Sequence, residues 1–146
     1  SEEAFRYLKD ISQKIKVNKG GLLLIDYGYT EQKMKNTLQG VLNHKFANIL
    51  EHIFNIDITH NINFNLYKNF IKKIAGLDNI LTTQKYFLKN MGIMERAEIV
   101  SKNQNFLKKA DIYYRIKRLI DEKYMGSLFK VLFVSKSKNN FNLGFK

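Results

Sequence analysis

An uninterrupted apolar run at residues 22–25, Leu-Leu-Leu-Ile, constrains the fold of this chain more than any other feature. Two glycines at positions 20 and 21 precede the run, and Asp26-Tyr27-Gly28 follows it. A short apolar segment with glycine at both ends is typical of a strand buried on both faces, as in a parallel sheet covered by helices. Residues 4–17 carry apolar side chains mostly at helical spacing and predict a helix before this strand.

Helical and extended segments alternate through the rest of the chain. Apolar spacing and capping residues predict helices over residues 31–54, 63–76, 83–92, 93–100 and 106–120. Segments rich in β-formers predict strands over residues 56–59, 79–82 and 128–134. Asn63 and Thr83 are the expected N-caps, and Gly76 and Gly92 are the expected helix ends. Residues 135–146, rich in lysine and asparagine, are expected to form a flexible tail.

This alternation predicts a single α/β unit over residues 1–146, built as an open sheet with flanking helices. Ligands of such sheets gather beyond the carboxyl ends of the strands, where Asp26, Tyr27 and Gly28 follow the apolar run. The carboxylate of Asp26 is suited to accept hydrogen bonds from a substrate or cofactor, and Gly28 to a tight turn that brings backbone close. That Asp26 only caps the following turn is an equally good interpretation.

The basic surplus of the chain is mostly lysine. The sequence has 25 Lys and Arg against 13 Asp and Glu, a net charge of +12. Of these 25 basic residues, 21 are Lys and 4 are Arg. Lys, Asn and Ile share A/T-rich codons, so a biased genome accounts for this composition without selection for phosphate contacts. Because bidentate contacts to guanine favour arginine, nucleic acid is not expected as the main partner.

Several classes of protein are excluded or disfavoured by composition. The chain has no cysteine, which excludes disulfides, thiol nucleophiles and cysteine-ligated metal sites and is compatible with a reducing compartment. No run approaches 18 apolar residues, so no transmembrane helix is predicted. The acidic start, Ser1-Glu2-Glu3, does not have the pattern of a signal peptide.

Five separated motifs occur in one order along the chain. They are GLLLIDYG at 21–28, NTLQ at 36–39 with His44 downstream, DITHNINF at 57–64, a group from Thr83-Gln84 through Phe87-Leu88 and Gly92-Ile93 to Arg96, and MGSLFKVL at 125–132. Together these motifs resemble the MidA family of S-adenosylmethionine-dependent methyltransferases. The resemblance implies the C-terminal part of a Rossmann-like class I methyltransferase sheet with flanking helices.

The resemblance also implies an activity and a partner. Mitochondrial relatives in this family methylate an arginine on a respiratory complex I subunit during its assembly. The resemblance covers only the C-terminal half of the family, and this chain lacks an acidic-x-Gly-x-Gly cluster of the kind that cradles the cofactor. It therefore implies a portion that is inactive alone and binds S-adenosylmethionine only with the missing N-terminal half. The expected location is the cytoplasm of a bacterium or, for a eukaryotic chain, the mitochondrial matrix.

Two positions depart from the family pattern. Asn36 and Asn63 stand where the family usually has aspartate. Asn63 remains a good helix N-cap, so this change is structurally mild. At position 36 the missing carboxylate puts any charge-dependent role in doubt.

Nine residues are candidates for substrate or cleft contacts, and none is assigned as catalytic. They are Asp26, Tyr27, Gly28, Gln39, His44, Asp57, Thr59, Gln84 and Arg96. Structural roles are open for each of them, such as turn hydrogen bonds for Asp57 and Thr59 or helix-end bonds for Gln84. Three histidines recur every eight residues from His44, and in a helix they would not share a face, so no metal site is predicted.

A second interpretation is a non-catalytic basic module that binds nucleic acid or an acidic protein surface. Its basis is a cluster in and after the last predicted helix: Lys108, Lys109, Arg115, Lys117, Arg118 and Lys123, with Tyr113 and Tyr114 between them. A solvated helix face, with Phe106, Ala110, Tyr113 and Ile120 pointing inward, explains the same pattern. A half-domain would also leave a sheet edge uncovered, which predicts self-association.

Overall fold

A mixed four-stranded sheet forms the centre of the computed structural model, which describes residues 1–51, 53–136 and 143–145. The strands are β1 (Gly21–Tyr29), β2 (Gln39–Leu42), β3 (Lys45–Ala47), β4 (Asp57–Thr59), β5 (Ile62–Asn63), β6 (Asp78–Thr83) and β7 (Phe129–Ser135). The helices are α1 (Glu2–Asn18), α2 (Phe64–Ala75), α3 (Gln84–Asn90), α4 (Ile93–Ser101), α5 (Phe106–Ile120) and α6 (Met125–Leu128). The predicted class, an α/β sheet with flanking helices, is confirmed.

Strand β7 lies between β1 and β6 and runs antiparallel to both, so the sheet order is β5-β1-β7-β6. Leu132 of β7 pairs with Leu24 on one side and with Leu81 on the other. Among the described residues, strand β1 has a parallel partner only at its carboxyl end, where Gly28 and Tyr29 pair with β5. The expected parallel sheet is therefore a mixed one, because the last strand inserts between two earlier strands that point the same way.

The hydrophobic core lies between one face of this sheet and helices α1 and α2. Alternate side chains of β1 and β7 turn toward these helices, among them Leu24 and Leu132. The buried residues that the helices contribute are Leu8, Ile15, Phe64, Ile71 and Ala75. Helix α1 begins at Ser1, whose hydroxyl accepts a hydrogen bond from the N–H of Ala4 at 3.2 Å. This cap confirms the predicted opening helix.

The opposite face of the sheet is covered unevenly. Helices α3 and α6 pack against β6 and β7, and Val131 of β7 is fully buried. On β1 the side chains of Leu23 and Ile25 are 48% and 45% exposed. The strand predicted at residues 22–25 is confirmed, but its predicted burial on both faces is wrong, because the described elements leave these two side chains half uncovered.

Residues 31–54 do not form the predicted helix. The segment contains β2 and β3, which form with β4 a separate antiparallel sheet in the order β3-β2-β4. We call residues 30–61, which leave the main sheet after β1 and return at β5, the β arm. None of the apolar side chains that suggested a buried helical face is fully buried: Val41, Leu42 and Ile49 are half-buried, and Met34, Leu38, Phe46, Leu50 and Ile53 are exposed. Their spacing therefore marks no buried face, and the helix prediction fails for that reason.

Local signals in the β arm explain its strand pairing. Asn43 and His44 have φ angles of 50° and 62°, the positive values that a two-residue type I′ hairpin turn requires. At Gly40 a Cβ atom would lie 2.8 Å from the carbonyl oxygen of Ala47 on the neighbouring strand. The turn dipeptide and the glycine both indicate a hairpin. His52, another residue of the predicted helix, lies outside the described residues.

The other predicted helices and strands are confirmed with small shifts at their ends. Helix α2 has Asn63 as its N-cap and ends at Gly76, whose φ is 66°. Gly92, with φ of 82°, separates α3 from α4. Thr83 is the N-cap residue of α3, as predicted, but its side chain makes no capping hydrogen bond.

The predicted tail, residues 135–146, is described only in part. Ser135 is the last residue of β7 and is buried. The ring of Phe145 lies 5.2 Å from that of Phe87 and 6.1 Å from that of Phe133. These residues belong to the packed fold, which corrects the tail boundary there, whereas positions 137–142 and 146 lie outside the described residues. None of the described helices is both long and apolar enough to cross a bilayer.

Candidate functional site

A loop folds back over the carboxyl end of β1. Tyr29, the last residue of the strand, is only 7% exposed, and its hydroxyl accepts a hydrogen bond from the N–H of Lys35 at 3.0 Å. The same hydroxyl lies 3.8 Å from the Sδ of Met34. A buried phenol whose oxygen is bonded to backbone holds residues 30–35 in place above the strand end.

Asn63 connects this loop to helix α2. Its Oδ1 accepts a hydrogen bond from the N–H of Leu66 at 3.1 Å, which is the capping bond of α2. Its Nδ2 donates to the carbonyl of Glu31 at 3.4 Å and lies 3.5 Å from the Sδ of Met34. A carboxylate could accept the first bond but could not donate the second, so the amide at position 63 carries two roles.

Thr37 ties the base of the β arm. Its Oγ1 accepts a hydrogen bond from the N–H of Asn61 at 3.0 Å and lies 3.5 Å from the carbonyl oxygen of the same residue. Because Thr37 precedes β2 and Asn61 follows β4, these contacts hold the two ends of the arm together.

Lys130 is the main site residue that the sequence analysis missed. Its Nζ donates to the carbonyl oxygens of Gly28 at 2.9 Å and Leu128 at 3.4 Å, and also to that of Ser127. Burial lowers the pKa of Lys130, an effect that the Glu31 carboxylate opposes. The sequence gives one indication of this role: Lys130 lies inside the apolar run of β7, where a buried charge must be hydrogen-bonded.

Charged side chains of both signs surround this strand end. Glu31 pairs with Lys35 through its Oε1, and its Oε2 accepts a hydrogen bond from the N–H of Thr30 at 3.1 Å. The hydrogen bond with Lys35 is the main cause that lowers the pKa of Glu31. The carboxylate at position 31 therefore stays ionised beside the ammonium group of Lys130.

Asp26 lies in β1 directly opposite Lys130 of β7. Its Oδ1 accepts a hydrogen bond from the N–H of Tyr27 at 2.7 Å, a local bond of the kind the capping interpretation expects. Burial and, more weakly, the Asp26 carboxylate raise the pKa of Tyr67 on α2. The second carboxylate oxygen leaves Asp26 capacity for a further donor.

The neighbours of Asp26 have packing roles. The ring of Tyr27 meets that of Phe129 edge to face, with centroids 5.6 Å apart. At Gly28 a Cβ atom would lie 2.2 Å from the carbonyl oxygen of Ile62. Gly28 thus permits close pairing of β1 with β5, and the expected tight turn at this glycine is wrong because the residue lies inside the strand.

Four predicted site residues lie on the small sheet of the β arm. Gln39 pairs with Thr59 in the register of β2 and β4, and Asp57 pairs with Val41. The Thr59 hydroxyl is buried and has no hydrogen-bond partner among the described residues. His44 is exposed in the hairpin turn. The structure therefore groups Gln39 with Thr59 but places His44 at the tip of the arm.

The last two predicted residues lie in the helical layer formed by α3 to α6. Gln84 is 8% exposed, and its Nε2 donates to the carbonyl of Leu119 at 2.9 Å, which joins α3 to the end of α5. Arg96 is exposed on α4, which packs against α3 and α5. Neither side chain is part of the arrangement at the carboxyl end of β1.

Neither described connection from a strand to the helix after it is a Gly-rich phosphate-binding loop. The strand-to-helix connections from β5 to α2 and from β6 to α3 contain no glycine, so neither is a Gly-rich loop. Within the described ranges no group of three His, Asp or Glu side chains is arranged to hold a metal ion. The charged groups at the carboxyl end of β1 therefore have neither a Gly-rich loop nor a metal cluster beside them among the described residues.

Comparison with known proteins places the chain among methyltransferases. Residues 1–83 match the family described as "Putative S-adenosyl-L-methionine-dependent methyltransferase". The chain is 28% identical over 132 residues to the mitochondrial protein arginine methyltransferase NDUFAF7 of Danio rerio, covering 88% of this chain and 30% of that protein. It is 31% identical over 99 residues to the human protein of the same name, covering 67% and 22%.

A solved structure shares the fold. A COG1565 superfamily member from Burkholderia thailandensis, crystallised with S-adenosyl-homocysteine, superposes with a TM-score of 0.72 at 27% identity. The match covers 92% of this chain and 36% of that chain. The chain thus spans about a third of the length of the relatives it matches. The predicted resemblance to S-adenosylmethionine-dependent methyltransferases is confirmed.

Proposed function

Because the chain belongs to this family of S-adenosyl-L-methionine-dependent methyltransferases, we propose that it is the C-terminal portion of a protein arginine methyltransferase. In this proposal the chain is inactive alone, and a separate N-terminal segment supplies the cofactor cradle. The crystallised relative that holds S-adenosyl-homocysteine is matched over 36% of its length, so most of its chain has no counterpart in the matched part of this one.

The uncovered side of β1 is the observation that carries the proposal. Residues 21–27 pair with β7 on one edge, and on the other edge no strand of the described residues accompanies them. Leu23 and Ile25 are about half exposed beside this edge. Unpaired backbone groups next to apolar side chains favour the addition of a strand and a covering element.

The carboxyl end of β1 would form the substrate side of the cleft. A substrate guanidinium is a planar cation that binds carboxylates through paired, charge-assisted hydrogen bonds. Asp26 and Glu31 are the carboxylates at this end, and Lys130 holds the strand backbone that carries Asp26. Bound S-adenosylmethionine would supply an activated methyl group, so the residues of this chain need only align the acceptor nitrogen and accept its proton.

The substrate and the location that we propose are those suggested by the relatives. We infer a protein substrate, because the vertebrate relatives are protein arginine methyltransferases. The family resemblance extends this inference to a subunit of respiratory complex I. The location that fits this substrate is the mitochondrial matrix in a eukaryote or the cytoplasm in a bacterium.

A chimeric protein tests the proposal. The matched part of the Burkholderia thailandensis relative is replaced by this chain, and S-adenosyl-homocysteine binding is measured by calorimetry for the chimera and for this chain alone. We expect binding by the chimera only. Strong binding by the isolated chain, or no binding by a folded chimera, would contradict the proposal.

A matched pair of variants localises the effect. Replacing both Leu23 and Ile25 by lysine in the chimera is expected to abolish binding, because two charges would face the covering segment. The control replaces Leu107, which is 75% exposed on α5, by lysine and is expected to bind normally. If both variants bind S-adenosyl-homocysteine equally well, the uncovered side of β1 is not part of the interface with the covering segment.

A further inference from the structure

The helical layer contains a concave surface that the proposed function does not use. A cavity of about 560 Å³ opens between α3, α4 and α5. Its apolar lining includes Ile116 and Ile120 of α5 and Met94 of α4, which is 37% exposed. We call this surface the lysine groove, because Lys85, Lys89, Lys117 and Lys123 also line it, with Tyr113, Asp121 and Glu122 as the remaining lining residues.

Three of these four ammonium groups have no anionic partner within the described part of the chain. Lys85 pairs with Glu122 at 2.6 Å. The carboxylate of Asp121, also in the lining, accepts a hydrogen bond from the backbone N–H of Lys123 at 2.9 Å. Lys89, Lys117 and Lys123 are therefore cations beside an apolar floor, with no ion pair among the described residues to neutralise them.

We propose that the lysine groove docks an amphipathic acidic segment of a protein partner. Apolar side chains of the segment would contact Met94, Ile116 and Ile120, and its carboxylates would pair with Lys89, Lys117 and Lys123. The argument is charge complementarity combined with a concave apolar floor, which is the arrangement that grooves for amphipathic helices use.

A nucleic acid fits this groove less well. Phosphate backbones gain little from a floor of isoleucine and methionine, whereas the apolar face of an amphipathic helix is buried there. The lining also contains no arginine, whose planar fork suits phosphate best. The proposal is independent of the methyltransferase activity, since none of these residues lies at the carboxyl end of β1.

Fluorescence anisotropy with a designed probe tests the inference. The probe is a labelled helical peptide with Leu at positions i, i+3, i+4 and i+7 and Glu on its other face. The same peptide with Gln in place of Glu is the charge control, and a single-stranded oligo(dT) is the nucleic-acid control. We expect the Glu peptide to bind the wild-type chain at least about tenfold more tightly than the Gln peptide.

Matched variants separate the groove from the overall charge. The K89E/K117E double variant is expected to bind the Glu peptide at least about tenfold more weakly than the wild type. K102E/K108E makes the same charge change outside the groove and is expected to change affinity less than about twofold. Circular dichroism and thermal melts show whether both variants keep their fold.

Three results would overturn the proposal. The first is equal weakening by both double variants, which would mean attraction by net charge alone. The second is binding of oligo(dT) but not of the peptide. The third is a result in which the peptide does not bind and light scattering shows that the wild-type chain is a dimer. If K89E/K117E dissociates that dimer, a second copy of the chain occupies the groove.

Discussion

Asn63 performs two tasks with one amide, and substitutions can separate them. N63D keeps an acceptor for the N–H of Leu66 but loses the donor to the Glu31 carbonyl, whereas N63A loses both. We expect N63A to cost about 1 kcal/mol from the lost cap alone. Hydrogen exchange then gives the local result: the Leu66 amide stays protected in N63D and exchanges faster in N63A. Equal exchange in the two variants would contradict the capping role.

Lys130 predicts a pH dependence whose sign follows from its surroundings. Burial lowers its pKa in the folded chain, so between that value and the ordinary 10.5 the unfolded chain binds more protons. Stability should therefore rise with pH across this window through Lys130. The measurement is the unfolding free energy of wild type and K130M from pH 8 to about 11, where the other lysines cancel in the difference. If the unfolding free energy of wild type minus that of K130M falls with pH, the carbonyl contacts raise the pKa of Lys130 more than burial lowers it.

Some site residues can be predicted from the sequence and others cannot. Asp26 is predictable because it directly follows an apolar strand. Lys130 and Tyr29 are not, since their partners depend on the pairing of β1 with β7 and on the path of the following loop. A contact between positions 28 and 130 has no local signature, so only the lysine inside the apolar run hints at it.

At the scale of elements, the hairpin turn of the β arm makes a specific prediction. His44 has φ of 62°, a conformation that costs a non-glycine residue roughly 1 kcal/mol. We expect H44G to protect the amides of β2 and β3 more strongly against exchange, and H44V to protect them less. The amides of β7 serve as the internal control and should not change. A loss of protection in both variants would instead indicate a contact made by the imidazole.

The helices and the β arm show where sequence analysis works and where it fails. Helix α2 carries its start and stop signals in Asn63 and Gly76, so a local pattern suffices. In the β arm the apolar side chains lie at helical spacing but are mostly exposed, and the hairpin is decided by Asn43, His44 and Gly40. The position of β7 between β1 and β6 is a long-range property that no local pattern contains.

At the scale of the molecule, the uncovered side of β1 predicts self-association of the isolated chain. Light scattering at increasing concentration should show oligomers for the wild type. The L23K/I25K variant should be closer to a monomer, because lysine side chains on an exposed edge strand disfavour edge-to-edge pairing. The L107K variant, altered at a residue that is 75% exposed on α5, should behave as the wild type. A monodisperse wild-type monomer would contradict this prediction.

The late position of β7 in the chain has a consequence for synthesis on the ribosome. Gly21 pairs with Ser135, so β1 and β6 emerge long before the strand that joins them has been made. At ordinary elongation rates the interval between these two residues is on the order of ten seconds. In the second half of that time, once β6 has also been made, the nascent chain exposes two strands that await β7, which would make it a client for ribosome-associated chaperones. Any translational pause before position 129 would lengthen this vulnerable interval.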